Sequence, residues 1–285
     1  MVHGVQGKIT RNENMPSKKE IATTENKALA IVDDFEGHAG EGMENVGVKD
    51  VLIPRLTIIQ DLSPQRKTSK AEFIAGAEVG HICDVGTGDL YKEGVVFIPV
   101  HYSKSFLEWA PRSTGKGLVN IHPTPEILDA CSRDNEKKIP ILPNGNLIAE
   151  TAQYFGLNMT ADGRKSFIPF TSSQLKRARG WMTLATGEKL VRGDGSKFTA
   201  PLWYRSYHLT TVVESNNEGE WAGWKITRGL SLPELGEEMG FNYRETMEEC
   251  IEFRASLIAG DLRADIASME GDSSSDTSDG TEGAM

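Results

Sequence analysis

Long apolar runs are missing from this 285-residue chain. The longest, Val95 to Val100, has the length of a strand and falls well short of the roughly 18–20 apolar residues of a membrane-spanning helix, so no membrane association is expected. The N-terminus is polar and lacks the apolar segment of a secretory signal. Cysteine is scarce: Cys83, Cys131 and Cys250 are odd in number and widely spaced, which argues against a disulfide framework and for a reducing cytoplasm. There is no C-x-x-C, His81-Ile82-Cys83 is the only close His/Cys pair, and His101, His122 and His208 are scattered, so neither a metal nor another cofactor is expected. No G-x-S-x-G nucleophile motif occurs. Ala110 to Gly117 (APRSTGKG) approaches a phosphate-binding loop and then departs from it. Gly117 stands where a Ser or Thr must hold Mg²⁺, and Pro123 and Pro125 follow where a helix must start.

Charge is present, but unevenly. The net charge is −10. Residues 1–94 carry 11 basic and 15 acidic side chains, residues 95–230 carry 17 and 12, and residues 231–285 carry 3 and 14. The middle is therefore basic and the C-terminal end strongly acidic, an asymmetry that speaks to partners.

Residues 1–49 are polar, with little apolar content outside Ile21 to Phe35, and read as mostly disordered. Residues 50–230 read as the folded core. Val51 to Gln60 is its first apolar segment, with Pro54 suited to an edge, and Val79 to Val85 and Val95 to Trp109 are strand candidates. Residues 110–146, with five prolines, read as a long loop. From Leu147 to Met159 alternate residues are apolar, as in a half-buried strand. Ala161-Asp162-Gly163 supplies turn chemistry before a second strand, Arg164 to Phe170. Thr171, Ser172 and Ser173 offer oxygens to cap a helix whose apolar stripe is Leu175, Ala178, Met182 and Ala185. Leu202 to Val213 and Trp221 to Thr227 are further strands. Ser231-Leu232-Pro233-Glu234 resembles a helix start, residues 231–262 an acidic C-terminal helical segment with a helix from about Asn242 to Ile258, and 263–285 a disordered acidic tail. From Val95 the order is three strands, a helix, two strands. The expectation is a mainly β (β + α) fold: an OB-like five-stranded Greek-key barrel with one helix between strands 3 and 4. A mixed α+β sheet is the rival.

Aromatic residues interleave with bases in three segments: His101 to Phe106 with Trp109 and Arg112, Trp203 to Tyr207, and Trp221 to Lys225. Binding a single strand needs cations for phosphates and flat rings for bases, stacking being worth about 1–3 kcal/mol per base. Each ring taken alone fits a barrel core better than a stacking platform. All five Trp, however, lie between residues 109 and 224, inside the basic stretch. Lys176, Arg177 and Arg179 with Arg164 and Lys165 make a second basic group, either a solvated helix face or a phosphate contact whose affinity falls with salt.

The basic, aromatic-rich core and the tail GDSSSDTSDGTEGAM resemble single-stranded DNA-binding proteins of tailed-phage replication modules. SFIPFTSSQLKRARGW and NNEGEWAGWK are similar to phage proteins encoded near replication genes. The resemblance implies stacking by Tyr102, Trp109, Trp203, Tyr204 and Trp224, and backbone contacts by Lys104, Arg112, Lys116, Arg177, Arg179, Arg205 and Lys225. The expected function is coating of single-stranded DNA, without catalysis, during replication or recombination, with the acidic tail modulating binding and contacting partner proteins. Homo-oligomer formation is left open. Two alternatives stand beside it: a metal-dependent nuclease or other DNA-processing enzyme, for which Asp162, Glu188 and Lys189 could be assembled, and a phage interaction or assembly protein without nucleic-acid affinity.

Overall fold

The computed structural model describes residues 37–39, 41–44, 52–135, 138–217, 219–260, 263–264 and 266. The expected disorder of residues 1–49 and of the tail falls almost entirely outside them. The chain divides into a unit to Gly47, of which two turns are described, and a unit from Val48 onward. In chain order the second unit contains β1 (Leu52–Ile53), β2 (Leu56–Ile58), β3 (Ile82–Asp84), β4 (Leu90–Tyr91), β5 (Val95–Trp109), β6 (Leu118–His122), β7 (Leu147–Asn158) and β8 (Arg164–Thr171). It continues with α1 (Leu175–Thr186), β9 (Lys189–Val191), β10 (Lys197–Thr199), β11 (Arg205–Asn216), β12 (Gly219–Ser231), α2 (Leu232–Met239), α3 (Tyr243–Ala259) and β13 (Arg263–Ala264).

The main sheet is antiparallel, in the order β12-β11-β5-β7-β8, with β6 added on the distal half of β5. Neighbouring residues on its strands point to opposite faces, and here both faces are covered. One receives Phe97, Tyr154, Ile168, Phe170, Tyr207, Leu209 and Trp224, roofed by Ala178, Trp181 and Ala185 of α1 and by Leu56, Ile58 and Ile82 of the small sheet β2-β3-β4. The other receives Ile98, Val100, Phe155, Leu157 and Phe167, roofed by Leu232 and Leu235 of α2 and Cys250 and Phe253 of α3. Adjacent pairs such as Tyr154 and Phe155 or Phe167 and Ile168 are therefore both apolar. For the same reason β7 is buried on both sides from Thr151 onward rather than half-buried.

Trp181 centres the first core. Its ring stacks on Tyr154 at 4.1 Å and meets Phe97, Phe170 and Tyr207 edge-on. An exposed residue on α1, Gly180, is left over from no packing need, with open space where a Cβ would stand. The turn between β7 and β8 forms as its residues dictate: Asp162 and Gly163 adopt φ of 51° and 77°, the left-handed region that Asp tolerates and Gly favours. The Thr171–Ser173 cap does not form; Ser172–Gln174 is a short 3-10 turn and α1 starts without a side-chain cap. At α2, Glu234 accepts from both the amide and the hydroxyl of Ser231, at 2.8 and 2.6 Å.

The sheet does not close into an OB barrel. Closure would require the edge strands β8 and β12 to pair, and they do not. The segment around β2 takes that place. Phe167 of β8 donates its amide to the Pro54 carbonyl at 3.0 Å, and Arg55 and Phe167 form a parallel bridge. On the other side the Gln60 amide group donates to the Ala222 carbonyl at 2.8 Å and accepts the Ala222 N–H at 3.0 Å. Gln174 accepts the next outward N–H of β12, from Trp224, at 3.1 Å. Two side-chain amides thus satisfy an edge that a strand would otherwise cover. Residues 110–146 also depart from a free loop: β6 pairs with β5, Pro125–Ala130 is a 3-10 helix, and Ile141 bridges both Ser132 and Leu147.

Candidate nucleic-acid interface

The sequence-predicted residues do not form one groove. Lys104 leaves β5 on the α1 side of the sheet, beside Tyr102, whose half-buried ring packs edge-on against Tyr154 at 5.1 Å. Across the ladder Glu150 of β7 reaches the same surface. Its Oε1 lies 2.8 Å from Lys104 Nζ and 3.7 Å from Arg179 Nη2 of α1. One turn away Glu214 of β11 repeats the arrangement. Arg177 donates to its Oε1 at 2.9 and 2.5 Å, Lys176 Nζ stands 4.0 Å from its Oε2, and Gln174 donates at 3.3 Å. Burial acts to raise the Glu214 pKa, but the Arg177 hydrogen bonds and the Arg177 and Lys176 charges outweigh it and hold the carboxyl below its ordinary value. Each carboxylate is thus shared by two cations, and each cluster keeps one unit of positive charge. Lys176 and Arg179 remain 64 % and 69 % exposed.

The other cations do different work. Arg164 is bound by Asp84 and Asp89, at 3.3 and 2.6 Å, and ties β8 to the β3–β4 turn. Lys165 lies 5.5 Å over the Phe253 ring, on the α3 side. Arg205 is held by both oxygens of Glu188 and by the Gly229 carbonyl, and Arg228 shares Glu188 at 3.5 Å. These arginines hold the Glu188 carboxyl below its ordinary value, through the Arg205 hydrogen bonds first. Lys116 and Lys225 are exposed, and Arg112 lies in the 3-10 turn Arg112–Thr114.

Of the rings, Trp224 is 3 % exposed and belongs to the core, packed toward Phe170 at 6.2 Å, so its faces are closed to a base. Trp203 and Tyr204 sit in the 3-10 turn Leu202–Tyr204 rather than on a strand; Trp203 packs on the second core and Tyr204 carries Arg205 at 5.9 Å. Trp109 is half-buried at the end of β5. Tyr102 is the ring that the fold brings to the α1 patch. For the nuclease set, Asp162 lies in the β7–β8 turn while Glu188 is already bridged by two arginines, and among the described residues no group of three or more His, Cys, Asp or Glu is placed to hold a metal ion. No helix among the described residues is long and apolar enough to cross a membrane.

Glu150 and Glu214 carry no signal in the sequence, because only the strand register brings them to α1. The short hairpin β9–β10, with Lys189, Arg192 and Lys197, does have a signal in the sequence: Gly193-Asp194-Gly195-Ser196 is turn chemistry between two basic segments.

A family model, the Pam3 phage gp34-like protein, matches residues 22–241, most of the chain. The chain belongs to the Pam3 phage gp34-like family. Searches of curated proteins and of solved structures return no match. The span matched in this gp34-like protein takes in the whole main sheet, α1 and the hairpin, and leaves α3 and the acidic end outside it.

Proposed function

We propose that this gp34-like protein binds single-stranded DNA through its phosphate backbone, with little sequence preference and without catalysis, during replication or recombination of phage DNA. The observation that carries the reading is the doubled cluster on α1. Glu150 lies between Lys104 and Arg179, and Glu214 between Lys176 and Arg177. A phosphate arriving beside either pair meets a net positive charge already held in place, and Tyr102 supplies an apolar ring edge next to it. The acidic tail is proposed to compete for this patch and to contact replication or recombination proteins.

A fluorescence-anisotropy titration of labelled oligo-dT, with duplex DNA as competitor and salt varied, tests this. Each phosphate neutralised on a single strand contributes about 0.7 to the slope of log affinity against log salt. With half the patch charge cancelled by its own carboxylates, the patch is expected to contribute about −1.5 to −3 to the slope, together with preference for the single strand. A chain ending at Ile266, which keeps β13, binds more tightly than the full chain. No binding at low salt by either form would refute the reading. That result would leave the assembly or interaction reading, which is favoured by the burial of Trp224 and by the ion pairs that occupy most of the cations.

A further inference from the structure

We infer that the β9–β10 hairpin is a second, stronger phosphate-binding element for the same single strand, an inference that rests on the nucleic-acid reading above. The reason is where uncompensated charge lies. Lys104, Arg164, Lys176, Arg177, Arg179, Arg205 and Arg228 are each within an ion pair. Among the described residues, Lys189, Arg192 and Lys197 are in none; Lys67, Lys70, Lys92, Lys116 and Lys225 share that state singly, but the hairpin gathers three such cations within residues 189–197. Lys189 Nζ donates to Thr199 Oγ1 at 2.5 Å, and Arg192 donates to Ser196 Oγ at 3.2 Å. The hairpin's own acid, Asp194, is occupied at the turn, where it accepts the Ser196 N–H at 2.9 Å. A cation with no carboxylate to displace keeps its full attraction for a phosphate.

The register arranges this charge on two faces. Lys197 lies across from Val191 and Lys189 across from Thr199, so both lysines share one face, and all four residues are exposed. Diagonal neighbours on an antiparallel pair stand about 7–8 Å apart, a separation that two long side chains turn into contacts with neighbouring phosphates. Leu190 and Phe198, opposite one another, take the other face, where the Arg192 guanidinium lies 4.5 Å over the Phe198 ring. A guanidinium set over an aromatic ring makes a cation–π contact, and both groups are of the kinds on which bases stack.

The base of the hairpin is fixed while the tip is free. Ala200 donates its amide to the Glu188 carbonyl at 3.0 Å, and the Glu188 side chain is clamped by Arg205 and Arg228. Beyond that clamp residues 191–197 are all exposed, Val191 to 62 %. A two-stranded hairpin is marginal on its own in water. Its cationic tip therefore stands out from the body on a rigid root, as a docking element for a polyanion must.

The test uses the full chain and labelled oligo-dT. The triple variant K189Q/R192Q/K197Q is compared with K67Q/K70Q/K92Q, which removes the same charge from exposed sites near the small sheet. The hairpin variant should lose at least ten-fold in affinity at about 0.1 M salt, and its salt slope should shrink by about 2, three cations at about 0.7 each. The control should stay within about three-fold of wild type. Equal behaviour of the two variants, with wild type binding, overturns the hairpin and leaves the nucleic-acid reading standing; absence of wild-type binding overturns both. Lysine acetylation of the unsubstituted chain reads the same contact without any variant. Oligo-dT should protect Lys189 and Lys197 but not Lys67 or Lys70, and uniform modification with and without DNA would overturn the proposal.

Discussion

Replacing Gln60 tests how the open sheet is finished. The Gln60 side chain makes two hydrogen bonds to one buried residue of the edge strand, donating to the Ala222 carbonyl at 2.8 Å and accepting its N–H at 3.0 Å. Gln60→Ala removes both. A typical intramolecular hydrogen bond contributes about 1 kcal/mol net, and a buried partner left unpaired costs about 1–3 kcal/mol. The site is only half-buried and water reaches part of it, so a loss of about 2 kcal/mol is expected. Gln60→Glu is the sharper change. It keeps the acceptor for the Ala222 N–H but sets a carboxylate oxygen against the Ala222 carbonyl, two acceptors facing each other. It should cost at least as much as Gln60→Ala at pH 7 and regain part of that below about pH 4, where the protonated acid can donate again. Urea unfolding at the two pH values reads both effects. With a urea slope of about 2–3 kcal/mol/M the midpoint should fall by about 0.7–1 M at pH 7. If Gln60→Glu matches wild type at pH 7, the amide does not cap the edge and the account of the unclosed barrel is wrong.

Two glycines should behave in opposite ways. At Gly156 a Cβ would stand 2.2 Å from the Ile98 carbonyl oxygen and 2.5 Å from the Phe97 ring, so Gly156→Ala should destabilise by about 3 kcal/mol or prevent folding, whereas Gly180→Ala, on an exposed helix face with nothing within 4 Å, should stabilise by about 1 kcal/mol. Thermal melts of the two variants decide, and shifts of the same sign would contradict the packing described. Trp181→Ala, which empties the space between four packed rings, should cost about 3–5 kcal/mol and abolish the near-ultraviolet circular dichroism of the core. Glu188 is held below its ordinary value of 4.5, first by its Arg205 hydrogen bonds, and Glu108 likewise, first by Asn146 and then by His122. Such groups bind fewer protons folded than unfolded, so their contribution is fully present above about pH 5 and is lost as pH falls through the folded values. Melting temperature should therefore be level near neutrality and drop below pH 4.5, less steeply in Glu188→Gln; a flat profile to pH 3 would contradict the pairing.

Much of the element order was legible because it rests on local chemistry. The β7–β8 turn follows from Asp162-Gly163, the start of α2 from Ser231 and Glu234, and the extent of β5 from an apolar segment that reads as strand. The barrel was not legible, because its closure is decided by what approaches β8 and β12 from far along the chain. Gln60 meets Ala222 across 162 residues, and no periodicity announces that contact. The same holds for the candidate interface. Basic residues are visible in the sequence, but their carboxylate partners are brought in by register, which separates Arg164 and Arg205, locked in structural ion pairs, from Lys189, Arg192 and Lys197, which are free of them. Tryptophan placement fails for a related reason. Trp224 and Lys225 are neighbours on β12 and point to opposite faces, one into the core and one to solvent.

Ultraviolet cross-linking of the full chain to a photoreactive thymidine oligonucleotide, followed by peptide mapping, tests the central claim most directly. The account predicts adducts in residues 95–109 and 175–199, suppressed by excess unlabelled single strand and by raised salt but not by duplex. Adducts confined to Tyr243–Ala259, on the opposite face of the sheet, or none above those of an unrelated acidic protein, would contradict it.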